Sequence, residues 1–168
     1  MEKEVARQPQ RAAAFVMPEK ESRKRVDLVR LKMVRESSTL YEPRRIESPK
    51  AAADLFRQFI GDADREQMMV CCLDVRNQPT CLHVTSIGTL AAAAVHPREV
   101  FKTAVLANAA SIIVGHNHPS GDCAPSREDI EVTSRLREAG RVLGIEVLDH
   151  VIVGGAAHVS LREQGIVA

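Results

Sequence analysis

Two histidines and an aspartate hold the most chemistry in this 168-residue sequence. His116 and His118 stand two apart in Gly115-His116-Asn117-His118-Pro119-Ser120-Gly121-Asp122, where the apolar run Ser111 to Gly115 reads as a strand. A strand sends alternate side chains to one face, so both imidazoles can aim nitrogens at one cation. Pro119 and Gly121 end the strand and turn the chain back. Asp129 then falls on the first turn of the next helix, where a carboxylate oxygen can close a third corner. Two histidines and one carboxylate leave a tetrahedral position free, as in a catalytic rather than a structural zinc site. An ion with an open position lowers the pKa of its water to about 7 and makes hydroxide available at neutral pH. Each residue also has a plainer use. A histidine pair on a strand can be structural, and Ser126-Arg127-Glu128-Asp129 has the form of a capping box. The joint spacing, in a strand–loop–helix context, favours the metal.

The elements that must position these residues are legible around them. Ser48-Pro49 opens a helix with Ala52, Leu55, Phe56, Phe59 and Ile60 on one face, ended by Gly61. Met68 to Val75 is a continuous apolar run, a central strand, and Asn77-Gln78-Pro79 turns it into a second strand, Thr80 to Ser86. Pro97 starts a helix from Arg98 to about Asn108, which leads into the strand beginning at Ser111. Ser126 caps a helix with Val132, Leu136, Ala139 and Leu143 on its inner face, and Gly144 stops it. Ile145 to Leu148 and Val151 to Val153 read as one interrupted strand or two. Gly154-Gly155 then turns into a short edge strand at His158-Val159, and Ser160 to Glu163 form a capped terminal turn. Alternating helices and strands imply an α/β fold, a mixed sheet with flanking helices.

Composition removes several classes. No stretch approaches the ~18 apolar residues of a membrane span, and the polar start Met1-Glu2-Lys3-Glu4 lacks a secretory apolar core. A cytoplasmic protein is expected. Cys71, Cys72, Cys81 and Cys123 show no CxxC spacing, which excludes a zinc ribbon and argues for reduced thiols. Cys71 and Cys72 would point to opposite faces of their strand. Residues 1–45 carry 12 Lys+Arg against 7 Asp+Glu, a net of +5, while residues 46–168 carry 11 against 15, a net of −4. The expected organisation is therefore a basic, poorly patterned arm over 1–45, with one short helix from Lys24 to Val34, and a domain over 46–168. The arm could contact nucleic acid or simply be solvated. With only Phe15 and Tyr41 it has little for base stacking.

His116-x-His118-x(7)-Ser126-x(2)-Asp129 resembles the full JAMM (MPN+) metalloprotease signature. His96-Pro97-Arg98-Glu99-Val100-Phe101, His116-Asn117-His118-Pro119-Ser120-Gly121-Asp122 and Leu148-Asp149-His150 resemble its RadC branch. The resemblance runs from about Ser48 to the C-terminus. It implies a JAB/MPN (cytidine-deaminase-like) fold and one zinc ion per chain, held by His116, His118 and Asp129. It also implies a glutamate general base and a serine near the substrate oxyanion. Where full-length RadC-like proteins carry a helix-hairpin-helix-type region, this chain has about 45 unpatterned residues. It is similar to the short forms found on mobile elements.

Glu66, just before the central strand, matches the place of the JAMM base, and Glu99 is the alternative. As an acidic residue in a first helical turn, Glu99 also complements the helix dipole. Ser126 is expected to cap its helix and to donate to a tetrahedral intermediate. Asp122 and His150 are candidates for contacts to the metal ligands or the substrate, His150 equally for a structural histidine. Cys123 is a variable loop residue or offers a thiolate to the zinc when no substrate is bound, and His96 is an exposed cap or loop residue. The expected activity is zinc-dependent hydrolysis of a peptide or isopeptide bond in a protein or peptide substrate. The alternatives are a recombination or DNA-repair accessory protein or metal-dependent nuclease, and a non-catalytic JAB scaffold. A homodimer is left open. A zinc deaminase is excluded, since its H-x-E and P-C-x-x-C signatures are absent.

Overall fold

A computed structural model describes residues 25–42, 44–88 and 95–166. The chain divides into two units between Leu31 and Lys32, and every element described below belongs to the second. Most of the basic arm, Phe15 included, lies outside the described residues. The helix expected from Lys24 to Val34 does not form: residues 25–34 carry no regular secondary structure and are exposed. Helices shorter than about 12–15 residues are marginal without a surface to pack on, and Val26, Leu28 and Val29 have none, each at least 73% exposed.

Among the described residues eight elements follow in order: α1 (Pro49–Ile60), β1 (Gln67–Leu73), β2 (Pro79–Ile87), α2 (Pro97–Leu106), β3 (Ser111–Asn117), α3 (Arg127–Leu143), β4 (Glu146–Gly154) and β5 (Ala157–Ser160). The strands form one mixed sheet in the order β2-β1-β3-β4-β5. Only β3 and β4 run parallel; the other neighbours are antiparallel. Among the described residues three helices flank this sheet, an arrangement consistent with a JAB/MPN fold. Among the described residues no helix is long and apolar enough to cross a membrane.

The sheet is buried on both faces, which explains the continuous apolar text of β1 and β3. Met68, Val70, Cys72, Ile112 and Val114 face α2 and α3 and share a core with Val100, Phe101, Val132 and Leu136. Met69, Cys71, Leu73 and Ile113 face the other way, toward Ala52, Leu55, Phe56 and Ile60 of α1. Cys71 and Cys72 do part to opposite faces. β1 ends at Leu73 rather than Val75, because Asp74 turns the chain. Its Oδ1 accepts from the backbone N–H of Arg76 (2.8 Å) and Gln78 (2.9 Å). That local turn outweighs the strand preference of Val75, which is left 88% exposed.

The interrupted strand is a single one, β4, with a register shift. Ile112 pairs with Val147 but Ile113 with Asp149, so one residue of β4 bulges out. A bulge reverses which residues face which side. Beyond it His150 stands opposite Val114 and Ile152 opposite His116. The α3 crossover starts at the carboxyl end of β3, the end of an α/β sheet where ligands commonly bind.

A candidate metal centre at the end of β3

His116, His118 and Asp129 come together. The His116 and His118 Nε2 atoms lie 2.9 Å apart. Asp129 Oδ1 is 3.2 Å from His116 Nε2, and its Oδ2 is 3.8 Å from His118 Nε2. A tetrahedral ion with ligands at about 2.0–2.2 Å would separate its donor atoms by about 3.3–3.6 Å. The three observed separations bracket that range. The donor set, two imidazoles and a carboxylate, suits zinc.

The hydrogen bonds fix where the ring protons sit. His118 Nδ1 lies 2.5 Å from the carbonyl oxygen of Asp122. A carbonyl only accepts, so Nδ1 carries the proton and Nε2 keeps its lone pair. On the other ring the chain of bonds is longer. Thr133 Oγ1 donates to the Asp129 carbonyl, four residues back (2.6 Å), and accepts from His150 Nδ1 (2.6 Å). His150 Nε2 is then an acceptor and takes the Nδ1 proton of His116 at 2.7 Å. His116 Nε2 is thereby left with a lone pair directed at His118. Burial pushes the pKa of both His116 and His150 down to about 3, with added repulsion from the neighbouring histidines. Both rings are therefore neutral at pH 7. Two lone pairs and a carboxylate facing one another are unfavourable until a positive charge sits among them.

Asp129 is held from below. Its Oδ2 accepts from both the N–H and the hydroxyl of Ser126 (2.7 Å each), while Ser126 Oγ accepts from the Asp129 N–H (3.1 Å). Capping box and metal ligand are thus compatible roles of one residue: Oδ2 serves the helix end and Oδ1 faces His116. Ser126 is exposed, and its hydroxyl proton is directed to Asp129 in this conformation.

The other candidates are placed as follows. Glu66 is half-buried and immediately precedes β1, whose pairing with β3 ends at Met68–His116, so it lies at the end of the sheet that carries the histidines. Glu99 is not brought to the group. The first turn of α2 packs on the far end of α3, where Pro97, Arg98 and Phe101 meet Ala139, Val142 and Leu143. That is about 20 Å along the helix from Asp129. Glu99 instead pairs with Lys102 (2.6 Å), which holds its carboxyl below the usual range. Asp122 acts through its backbone carbonyl on His118; its carboxylate stays in the loop, accepting from the Ala124 N–H (2.9 Å). Cys123 does not join the group. Its side chain is buried with Ile152 and Leu161, Sγ faces the Gly154 carbonyl, and burial raises its pKa. It anchors the loop rather than offering a thiolate. His96 caps α2, its Nδ1 accepting from the Arg98 N–H (3.2 Å).

Sequence reading overlooked Thr133, although its spacing of four from Asp129 on one helix put both on the same face. Asp149 is the other buried contributor. Its Oδ1 accepts from the N–H of His150 (2.7 Å) and Arg162 (3.1 Å), and its Oδ2 from the Ser160 hydroxyl (2.6 Å). It ties β4 at His150 to the end of β5.

The family model for the RadC-like JAB domain matches residues 46–166. The chain belongs to the RadC-like JAB family. A UPF0758 protein of Methanosarcina barkeri is 49% identical over 127 residues, 75% of this chain and 56% of that protein. One of Rubrobacter xylanophilus is 48% identical over 141 residues, 83% of this chain and 62% of its own length. One of Caldanaerobacter subterraneus is 48% identical over 128 residues, 76% and 55% respectively. The chain spans little more than half the length of these relatives, and their shared name states no activity. The RadC-like match contains every residue of the metal group and Glu66.

Proposed function

We propose that this RadC-like JAB domain is a zinc-dependent hydrolase of amide bonds, a JAMM-type peptidase or isopeptidase acting on a protein or peptide. The observation that carries the reading is the inward-facing set of acceptors on His116, His118 and Asp129, whose ring protons are all turned away toward other partners. These three residues would hold the ion, which when bound supplies a Lewis acid for the scissile carbonyl and for a water at the remaining position. Glu66, at the end of the sheet that carries the histidines, takes the proton of the attacking water and delivers it to the leaving amine. Ser126, once its hydroxyl turns from Asp129, donates to the developing oxyanion, a contribution of about 3 kcal/mol for one donor elsewhere. His150 stays neutral and keeps His116 in the ligating state.

Elemental analysis of the purified full chain tests the ligand set. About one zinc per wild-type chain is expected, and stoichiometric zinc in His116→Ala or Asp129→Ala would reject the assignment. A cleavage screen of peptides and protein conjugates, run with and without chelator, tests the reaction. Glu66→Gln should keep its metal and lose turnover.

A further inference from the structure

Asn117 lies between the two histidines, so strand alternation turns its side chain away from them. It is 2% exposed, and its side-chain amide bonds to one short stretch of backbone. Oδ1 accepts from the Gln67 N–H at 2.8 Å. Nδ2 donates to the carbonyls of Arg65 at 3.0 Å and Ala63 at 3.3 Å. Glu66 is the residue between these contacts. The peptide group before it is held through the Arg65 carbonyl and the one after it through the Gln67 N–H, both by the same amide. The Glu66 carbonyl in turn accepts from the N–H of Gly88, the residue just after β2, at 2.8 Å. No regular ladder fixes this residue, since β1 begins only at Gln67.

We propose that Asn117 is a positioning residue for Glu66, coupling the carboxylate's place directly to the strand that bears both histidines. A buried amide has both a donor and an acceptor in fixed geometry, which a backbone N–H and two carbonyls require together. An ionised aspartate has no donor and alanine neither group, while serine has a single donor proton for two carbonyls and a shorter reach. The inference rests on Glu66 acting beside the metal, and the test separates the two claims.

The full chain is loaded with cobalt(II), and its visible spectrum is followed against pH in wild type, Glu66→Gln, Asn117→Asp, Asn117→Ser and the double variant Glu66→Gln/Asn117→Asp. Metal content and thermal midpoint are measured on the same samples. Asn117→Asp keeps the acceptor for Gln67 but sets an oxygen against two carbonyls, and Asn117→Ser is the smaller change should the first not fold. The expected result is full cobalt stoichiometry in every variant. The pH midpoint should move in Glu66→Gln and in the Asn117 variants in the same direction, with no further movement in the double variant. A wild-type midpoint in folded Asn117 variants, where Glu66→Gln has moved, overturns the positioning role. So do additive shifts in the double variant, or loss of cobalt on changing Asn117, which would place its effect on the histidines. An unmoved midpoint in Glu66→Gln overturns the reading of Glu66 itself, and this inference with it.

Discussion

Thr133 has one hydroxyl proton, and giving it to the Asp129 carbonyl settles the state of two rings in turn. Removing the hydroxyl leaves the His150 Nδ1–H without its acceptor in a fully buried place, so the ring is free to take the other tautomer. Thr133→Val should therefore bind zinc about 10–100-fold more weakly, in line with other changes to partners of ligating histidines. Thr133→Ser should retain most of the affinity. A competition titration with a chromophoric chelator reads both, and equal affinities in Val and wild type would remove Thr133 from the relay. At this scale the sequence carried the ligand types and their spacing, because a two-residue repeat on a strand has one geometric outcome. It offered His150 as a contact to the ligands but not Thr133, nor which bonds link them, since these join residues 34 and 17 apart.

Elements succeed here where close approach is permitted. A Cβ on Gly115 would meet the Phe56 ring at 2.4 Å, so α1 can lie flat on β3 only because that residue has no side chain. Gly115→Ala should cost about 1–3 kcal/mol by overpacking, measured by denaturant unfolding, and should lower zinc affinity as well, since the next residue is His116. Ser126→Ala removes a cap worth about 1 kcal/mol and two bonds to Asp129. A melt should show the stability loss and a metal titration the weaker site; a change in stability alone would restrict Ser126 to capping. The helices were legible from their ends: Ser48-Pro49, Ser126 and the left-handed Gly144 (φ 70°) each mark a boundary by local chemistry. The β4 bulge was visible only as an interruption. The face that His150 takes depends on its pairing with β3, and alternation within β4 alone cannot state it.

On the scale of the whole molecule, a metal held by His116, His118 and Asp129 would couple its binding to folding. An ion that binds only the folded chain stabilises it by about 2.7 kcal/mol at 100 times its dissociation constant. The thermal midpoint should thus rise with zinc and fall with chelator, and a midpoint indifferent to both would contradict a folded-state site. Metal-free protein should also be acid-sensitive. Unfolded histidines take protons near pH 6.5, whereas folded His116 and His150 resist until about 3. Between those values the unfolded chain binds more protons, so stability falls as pH falls, on the order of 1 kcal/mol per pH unit for each ring. Asp149, with a carboxyl raised by burial, works the other way, its contribution being lost as pH rises through its folded value. Unfolding curves of chelated protein from pH 7 to about 4.5 would show the histidine slope, and a flat profile would mean that neither ring is buried neutral.

What the amino-acid order determined by itself is the succession of elements, their capped ends and the set of groups that can hold a cation. Those follow from side-chain type and from contacts within a few residues. Tertiary structure alone decided which nitrogen of each ring is free, that Glu99 lies at the far end of α3 from Asp129, and that Cys123 is spent on packing. Each of those outcomes is a matter of which distant segments become neighbours, and burial then sets the protonation that makes the neighbours useful.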